Sequence, residues 1–356
     1  MKVVGIFRGF PGLGRVVSGV ETLRIFKEFH KADILIFTYL QGFEYCKEVF
    51  KTQDIYSEKD ISSLGIIPVS QSGELIIDEI DNFNPDIVLI DGEPLLITTI
   101  KLRFPNIKLI TLLNPFDVEN PHNKLSSQLF FKDCYSKADY AIVHGIWQVE
   151  KPKEFINNFY SFHTILRNKI LEIKPTFKRN RIVCILGGGS VNSSSSFFQN
   201  TVEIAKKALL IAEEFPNFQI DVFCSSEDIF KEVNKLNTFC RNIYIHRELK
   251  SPQEIYADVK LVLARAGRNT ISELLHLKIP SLLFATNCNI RGSEQSQNLK
   301  SVNEISNGQL LGFDVSITES SIIPLFNFVK PHDTKNNWQW ECGNEDLKNL
   351  ILNHFA

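Results

Sequence analysis

Two short runs combine glycine with hydroxyl residues, the second with basic residues as well, where an apolar segment gives way to a helical pattern. The first is Ile185-Leu186-Gly187-Gly188-Gly189-Ser190. Glycines there let a backbone approach an anion closely, and a helix expected from about Phe197 adds its N-terminal amides. The second is Leu263-Ala264-Arg265-Ala266-Gly267-Arg268-Asn269-Thr270-Ile271-Ser272-Glu273. Its turn presents backbone amides, Thr270 can cap the helix, and Arg265 or Arg268 can add positive charge, a set suited to a diphosphate. Glu273, one helical turn further on, can accept both hydroxyls of a ribose. The same spacing fits a capping box of Thr270 and Glu273, and the sequence leaves both readings open. Glycine in such turns also serves purely steric ends, so the first run alone does not define a site.

These groups need a scaffold of strands and helices to hold them, and the chain supplies that rhythm. Short β-branched runs alternate with helical patterns, the signature of βαβ units and parallel sheets. In the first half the expected strands are Val3 to Phe7, Ile34 to Thr38, Ile87 to Ile90, Lys108 to Leu112 and Tyr140 to Val143, with a helix over Val20 to Phe29. The second half begins again with Arg181 to Leu186, Ile220 to Cys224, Ile243 to Ile245, Leu261 to Ala264 and Ser281 to Phe284. Helical patterns there cover Thr201 to Glu214 and Ile271 to Leu277, and Trp338 to Phe355 reads as a terminal helix. Phe130-Phe131 and Phe155 to Phe162 fit an acceptor groove, a membrane surface or burial in a helix core, the last being the commoner outcome for such spacing.

A chain of 356 residues fits two domains better than one. We expect domains over residues 1–165 and 181–335, a connection over 166–180 and a terminal helix over 336–356 that crosses back to the first domain or caps the second. Ligands of open α/β sheets lie beyond the carboxyl ends of the strands, so two such domains suggest a cleft between them. Hydrophobic residues at 44% and charged residues at 22% are ordinary for a globular protein, and 39 Lys and Arg against 41 Asp and Glu argue against a nucleic-acid partner. The seven cysteines are scattered, without metal spacing, and read as reduced, buried thiols; no metal or cofactor is expected. His30, His163, His246 and His276 lack regularly spaced metal-ligand partners and read as structural or surface residues. Without a signal-like start or about 18 successive apolar residues, the expected compartment is the cytoplasm, and no membrane contact is assigned.

Arg-Ala-Gly-x-x-Thr-x-x-Glu at 265–273, then Lys278-Ile279-Pro280-Ser281, then Glu294-Gln295-Ser296-Gln297-Asn298, resembles the C-terminal domain of glycosyltransferase family 28 over about residues 160 to 310. The resemblance implies the α/β GT-B fold, two doubly wound Rossmann-like domains facing a central cleft. It implies that Gly188, Gly189 and Ser190 approach the donor sugar and diphosphate, and that Arg265, Gly267, Arg268, Asn269 and Thr270 form the phosphate turn. Glu273 would bind the ribose, Gln295 and Asn298 the sugar hydroxyls, Arg167 the diphosphate, and Leu249 would pack near the base.

Gly12-Leu13-Gly14-Arg15-Val16-Val17-Ser18 resembles the glycine-rich loop in which these transferases, and a related UDP-sugar hydrolase, carry Gly-His. Here Arg15 takes the histidine position. An arginine stays protonated at neutral pH, so the base lies elsewhere, the loop, including Gly14, only binds anions, or turnover has been lost. Inverting transfer needs a base for the acceptor hydroxyl. Asp117 ranks first and Asp91 second, ahead of Glu93 and His122; His144 ends a strand and can face the cleft. The leading expectation is transfer from a UDP-sugar, UDP-GlcNAc or UDP-hexose, to an acceptor that is a glycan, lipid-linked or a small molecule. A nucleotide-sugar hydrolase and a non-catalytic nucleotide-sugar-binding subunit are the alternatives.

Overall fold

The computed structural model describes residues 1–9, 13–55, 73–120, 123–174, 176, 180–187, 195–224, 226–237, 240–247, 251–286, 292–318, 321, 323 and 338–355. The chain divides into two compact units, Met1–Arg167 with Cys342–Ala356, and Asn168–Glu341. The final segment therefore belongs with the first unit.

In the first unit β1 (Lys2–Phe7), β2 (Asp33–Thr38), β3 (Lys51–Asp54), β4 (Ile87–Asp91), β5 (Lys108–Leu113), β6 (Tyr140–Gly145) and β7 (Phe159–His163) form a sheet ordered β3-β2-β1-β4-β5-β6-β7. Every pair is parallel; Val4, for example, lies between Leu35 and Val88. Helices α1 (Gly14–His30), α2 (Gln41–Cys46), α3 (Gly73–Phe83), α4 (Pro94–Arg103), α5 (Pro115–Val118) and α6 (Leu125–Ser136) connect the strands. Strand order reverses at β1 and β4, so the turns after these two strands open where doubly wound sheets hold ligands. Val16, Val20, Leu23 and Phe26 of α1 join β1 and β2 in one core. The terminal helix (Asn344–His354) completes that core with Leu347, Leu350 and Ile351, and Phe355 meets Phe26 edge-on at 5.6 Å.

The second unit starts with a short helix, α7 (Asn168–Leu171), followed by β8 (Arg181–Ile185), α8 (Ser195–Glu214), β9 (Gln219–Phe223), α9 (Glu227–Leu236), β10 (Ile243–His246) and α10 (Pro252–Tyr256). Then come β11 (Val259–Arg265), α11 (Arg268–Leu277), β12 (Ser281–Ala285), α12 (Gly292–Ile305) and β13 (Leu310–Asp314). Its parallel sheet is ordered β10-β9-β8-β11-β12-β13. The helix Asn344–His354 is numbered α13.

The strands missed by sequence reading are β3, β7 and β13, all at sheet edges. Their residues are partly exposed, so they lack the unbroken apolar runs that mark β1, β4 and β8. Phe155 to Phe162 is the clearest correction. Phe159–His163 is the edge strand β7, and only Phe155 of the flanking aromatics is fully buried. The aromatic spacing reflects alternate strand positions, with Tyr160 stacked on Tyr140 at 6.1 Å.

Candidate functional site

In the second unit the central strand β11 delivers its last residues to the carboxyl edge of the sheet. Gly267 is the N-cap of α11, in extended conformation, and Ile271 makes the first intrahelical bond to its carbonyl at 3.0 Å. The amides of Arg268, Asn269 and Thr270 therefore have no acceptor within the helix, the arrangement that binds anions at helix N-termini. Gly267 has φ −81, allowed to any residue. Among the described residues nothing lies within 4 Å of where its Cβ would be. Neither backbone strain nor packing requires glycine here, whereas a ligand approaching the amides would.

The capping box left open by the sequence is excluded. With Gly267 at the N-cap, Thr270 is the third helical residue and Glu273 the sixth. Glu273 is buried and accepts a hydrogen bond at 2.9 Å from the Tyr256 phenol. Arg268 is buried, with Nε donating to Asn269 Oδ1 at 3.2 Å. Arg265 turns to α8, where Nη2 donates to Thr201 Oγ1 at 2.5 Å.

On α12, Gln295 and Asn298 hold neighbouring turns. Gln295 Oε1 accepts from Thr286 N at 2.7 Å and Thr286 Oγ1 at 2.8 Å. Asn298 Nδ2 donates to the carbonyl of Ala266 at 3.1 Å. Both side chains are buried, so the residues expected to read a sugar also fix the turn leading into α11. Gly188, Gly189, Ser190 and Leu249 lie outside the described residues.

The first unit gathers a second polar cluster at the ends of β1, β4 and β5. Arg15 Nη1 donates to Asp91 Oδ1 at 2.7 Å, and Nη2 reaches Asp117 Oδ1 and Oδ2 at 2.8 and 2.9 Å. Ser18 Oγ donates to the other Asp91 oxygen at 3.1 Å. Arg8 bonds the carbonyl of Gly92 and lies 3.5 Å from Glu93. Gly92 has φ 93, and a Cβ there would stand 2.7 Å from Arg15 Cδ, so glycine is required for both reasons. Asp117 closes the N-terminus of α5 in a capping box with Asn114, whose amide donates to it at 2.8 Å.

Burial opposes the Asp117 charge, but Arg15, the Asn114 amide and Arg8 outweigh it and hold the carboxyl below its ordinary range. Burial likewise opposes the Arg15 charge, and Asp117 with Asp91 keeps it firmly protonated. Tyr135 is raised well above the usual phenol value, first by burial and then by Asp117. The Asp117 side chain retains 17% exposure against 2% for Asp91. Gly14 opens α1 and its carbonyl accepts from Ser18 at 3.1 Å. His144 is fully buried, its Nδ1 accepting the Ile165 amide at 3.3 Å. Arg167 ends the contiguous part of the first unit, and its charge partly offsets the rise that burial imposes on the Tyr45 phenol. His122 is outside the described residues.

Sequence reasoning missed Tyr256, Tyr135 and Arg8. Ser251-Pro252-Gln253-Glu254 is a legible helix start, but nothing local ties Tyr256 to a carboxylate 17 residues away. Among the described residues no group of three or more His, Cys, Asp or Glu side chains is placed to hold a metal, and no helix is long and apolar enough to cross a membrane.

Residues 182–323 match the model of the glycosyltransferase family 28 C-terminal domain. None of the curated proteins matches the chain in sequence. Among solved structures the chain is similar to MurG of Acinetobacter baumannii, at 12% identity and TM-score 0.63 over 99% of each chain. It is similar to a UDP-GlcNAc 2-epimerase from Neisseria meningitidis bound to UDP-GlcNAc, at 12% identity and TM-score 0.64 over 99% of each chain. It is also similar to Arabidopsis thaliana UGT89C1 complexed with UDP, at 11% identity and TM-score 0.67, covering 99% of this chain and 93% of that one. At such identity these likenesses establish the fold, GT-B. Fold and matched domain together define the class, a glycosyltransferase.

Proposed function

We propose that the chain is an inverting, metal-independent glycosyltransferase that moves a hexose or N-acetylhexosamine from a UDP-sugar to an acceptor hydroxyl. The observation that carries this reading is the turn from Gly267 into α11, with first-turn amides that have no acceptor within the helix, open space at the glycine among the described residues and a buried carboxylate one turn further on. Arg268, Asn269 and Thr270 hold the diphosphate, Glu273 the ribose, and Gln295 with Asn298 the sugar. The similar structures that hold UDP or UDP-GlcNAc support a uridine donor. A helix N-terminus aimed at the diphosphate stabilises the charge that develops as it departs, which removes the need for a divalent cation. Addition of EDTA should leave the transfer rate unchanged.

The first unit selects the acceptor, a glycan, a lipid-linked sugar or a small molecule. Asp117 is the first choice for its base, because it is ionised and the more exposed of the two aspartates on Arg15. Asp91 is second. We assign the protein to the cytoplasm and no membrane contact to it.

Calorimetric titration of the wild type and Glu273→Ala with UDP, UDP-glucose and UDP-GlcNAc tests the donor site. Selective binding that Glu273→Ala weakens strongly, with residual affinity for the diphosphate, is expected. A folded wild type that binds none of the three would end this reading. One observation favours a second reading, donor binding without turnover: Arg15, in place of the usual histidine, is committed to two carboxylates. That reading predicts UDP binding with no sugar consumed in the presence of any acceptor.

A further inference from the structure

Tyr256 ends α10 with its side chain buried, and its phenol donates to Oε2 of Glu273 at 2.9 Å. All of β11 separates the two residues in sequence, so the contact ties the end of one helix to the second turn of another.

A five-residue helix has almost no stability of its own, yet α10 is held at both ends. Its first turn is closed by a capping box. Glu254 Oε2 accepts from Ser251 N at 3.1 Å and Ser251 Oγ at 2.7 Å, and Ser251 Oγ accepts the Glu254 amide at 3.4 Å. Its last turn is gripped by Arg181, which donates to the carbonyls of Glu254 and Ile255, the latter at 3.0 Å. That guanidinium is anchored by Asp258, 2.8 Å from Nε, and by Asp221, 3.2 Å from Nη1. Asp221 is fixed in turn by Gln219 at 2.9 Å and His246 at 2.5 Å. Hydrogen bonds therefore run from β8 and β9 to the last turn of α10, the turn that carries Tyr256.

We infer that Tyr256 is a positioning residue of the donor site, fixing the Glu273 carboxylate in the orientation that accepts the hydroxyls of a ribose. This rests on the reading of Glu273 as the ribose ligand. A carboxylate has about four lone-pair directions, and the phenol uses one of them. A glutamate has three side-chain torsions, and ordering them when a ligand arrives weakens binding; a carboxylate already held avoids that loss. The phenol also sets the rotation of the carboxylate plane, on which acceptance of two adjacent hydroxyls depends.

Tyr256→Phe keeps the ring in place and removes only the donor. Calorimetric titration of the full chain with UDP and with 2′,3′-dideoxy-UDP separates positioning from a general structural role. The wild type should prefer UDP. Tyr256→Phe should bind UDP about five- to tenfold more weakly, the scale of one ordinary intramolecular hydrogen bond, and bind the dideoxy analogue as the wild type does. On the Glu273→Ala background the same substitution should cause no further loss. Equal weakening of both nucleotides, unchanged UDP affinity, or additive losses in the double variant would overturn the positioning role while leaving the donor site intact. A wild type that binds both nucleotides equally would remove Glu273 as the ribose ligand and the inference with it.

Discussion

Arg15 Nη2 stands 2.8 and 2.9 Å from the two carboxylate oxygens of Asp117, across 102 residues of sequence. The pair joins the start of α1 to the capping box of α5. With Asp91 on the other guanidinium nitrogen, it locks three turns at the carboxyl edge of the first sheet.

Removing one partner of such a pair leaves a charge poorly compensated, so Asp117→Asn should cost roughly 3 kcal/mol at neutral pH. The folded carboxyl is held below its unfolded value of about 3.9, so its contribution is complete above that value and is lost as pH falls through the lowered folded value. Urea denaturation across pH should show the wild type and Asp117→Asn far apart at pH 7 and converging in acid. A constant gap across that range would mean that the carboxyl is not held ionised by Arg15.

If Asp117 takes the acceptor proton, Arg15 sets its basicity. In Arg15→Gln the carboxyl loses its main stabilising cation and its pKa must rise. The acid limb of kcat/KM should move to higher pH, with the maximum rate reduced by altered placement. A limb that stays where it is in the wild type assigns the base to another group.

Gly267→Ala separates packing from ligand contact. The backbone conformation suits alanine and the described surroundings leave room for its methyl, so stability should change by no more than about 0.5 kcal/mol. UDP affinity should fall about tenfold or more, because the methyl would occupy space that a diphosphate held on the α11 amides needs. Unaltered affinity would place the diphosphate elsewhere.

Thiol reactivity should follow burial. Burial pushes the Cys46 and Cys224 thiols up to about 12 and raises Cys184 further, whereas Cys240 and Cys342 are only half-buried. Among these residues an aromatic disulfide reagent at pH 8 should modify Cys240 and Cys342 first. The others should react at the rate of unfolding. Fast modification of Cys184 would mean that the second sheet opens locally.

The central strands were legible in the sequence, because a strand covered on both faces must be apolar along most of its length: β1, β4, β8, β11 and β12 each carry such a run with a polar or charged residue at one end. The sequence also marked the turn from Arg265 to Glu273 as a candidate anion site, since these residues are contiguous and glycine, arginine and threonine carry their chemistry locally. The edge strands β3, β7 and β13 escaped, because half-exposed edges need no such run. Tertiary structure decided what no local pattern holds. It gave the helix start to Gly267 rather than Thr270, turned Arg265 to Thr201, and joined Arg15 to Asp91 and Asp117. It also placed Tyr256 on Glu273. Each of these contacts is a hydrogen bond whose partners become neighbours only when the sheet order is set, and sheet order is a property of the folded chain.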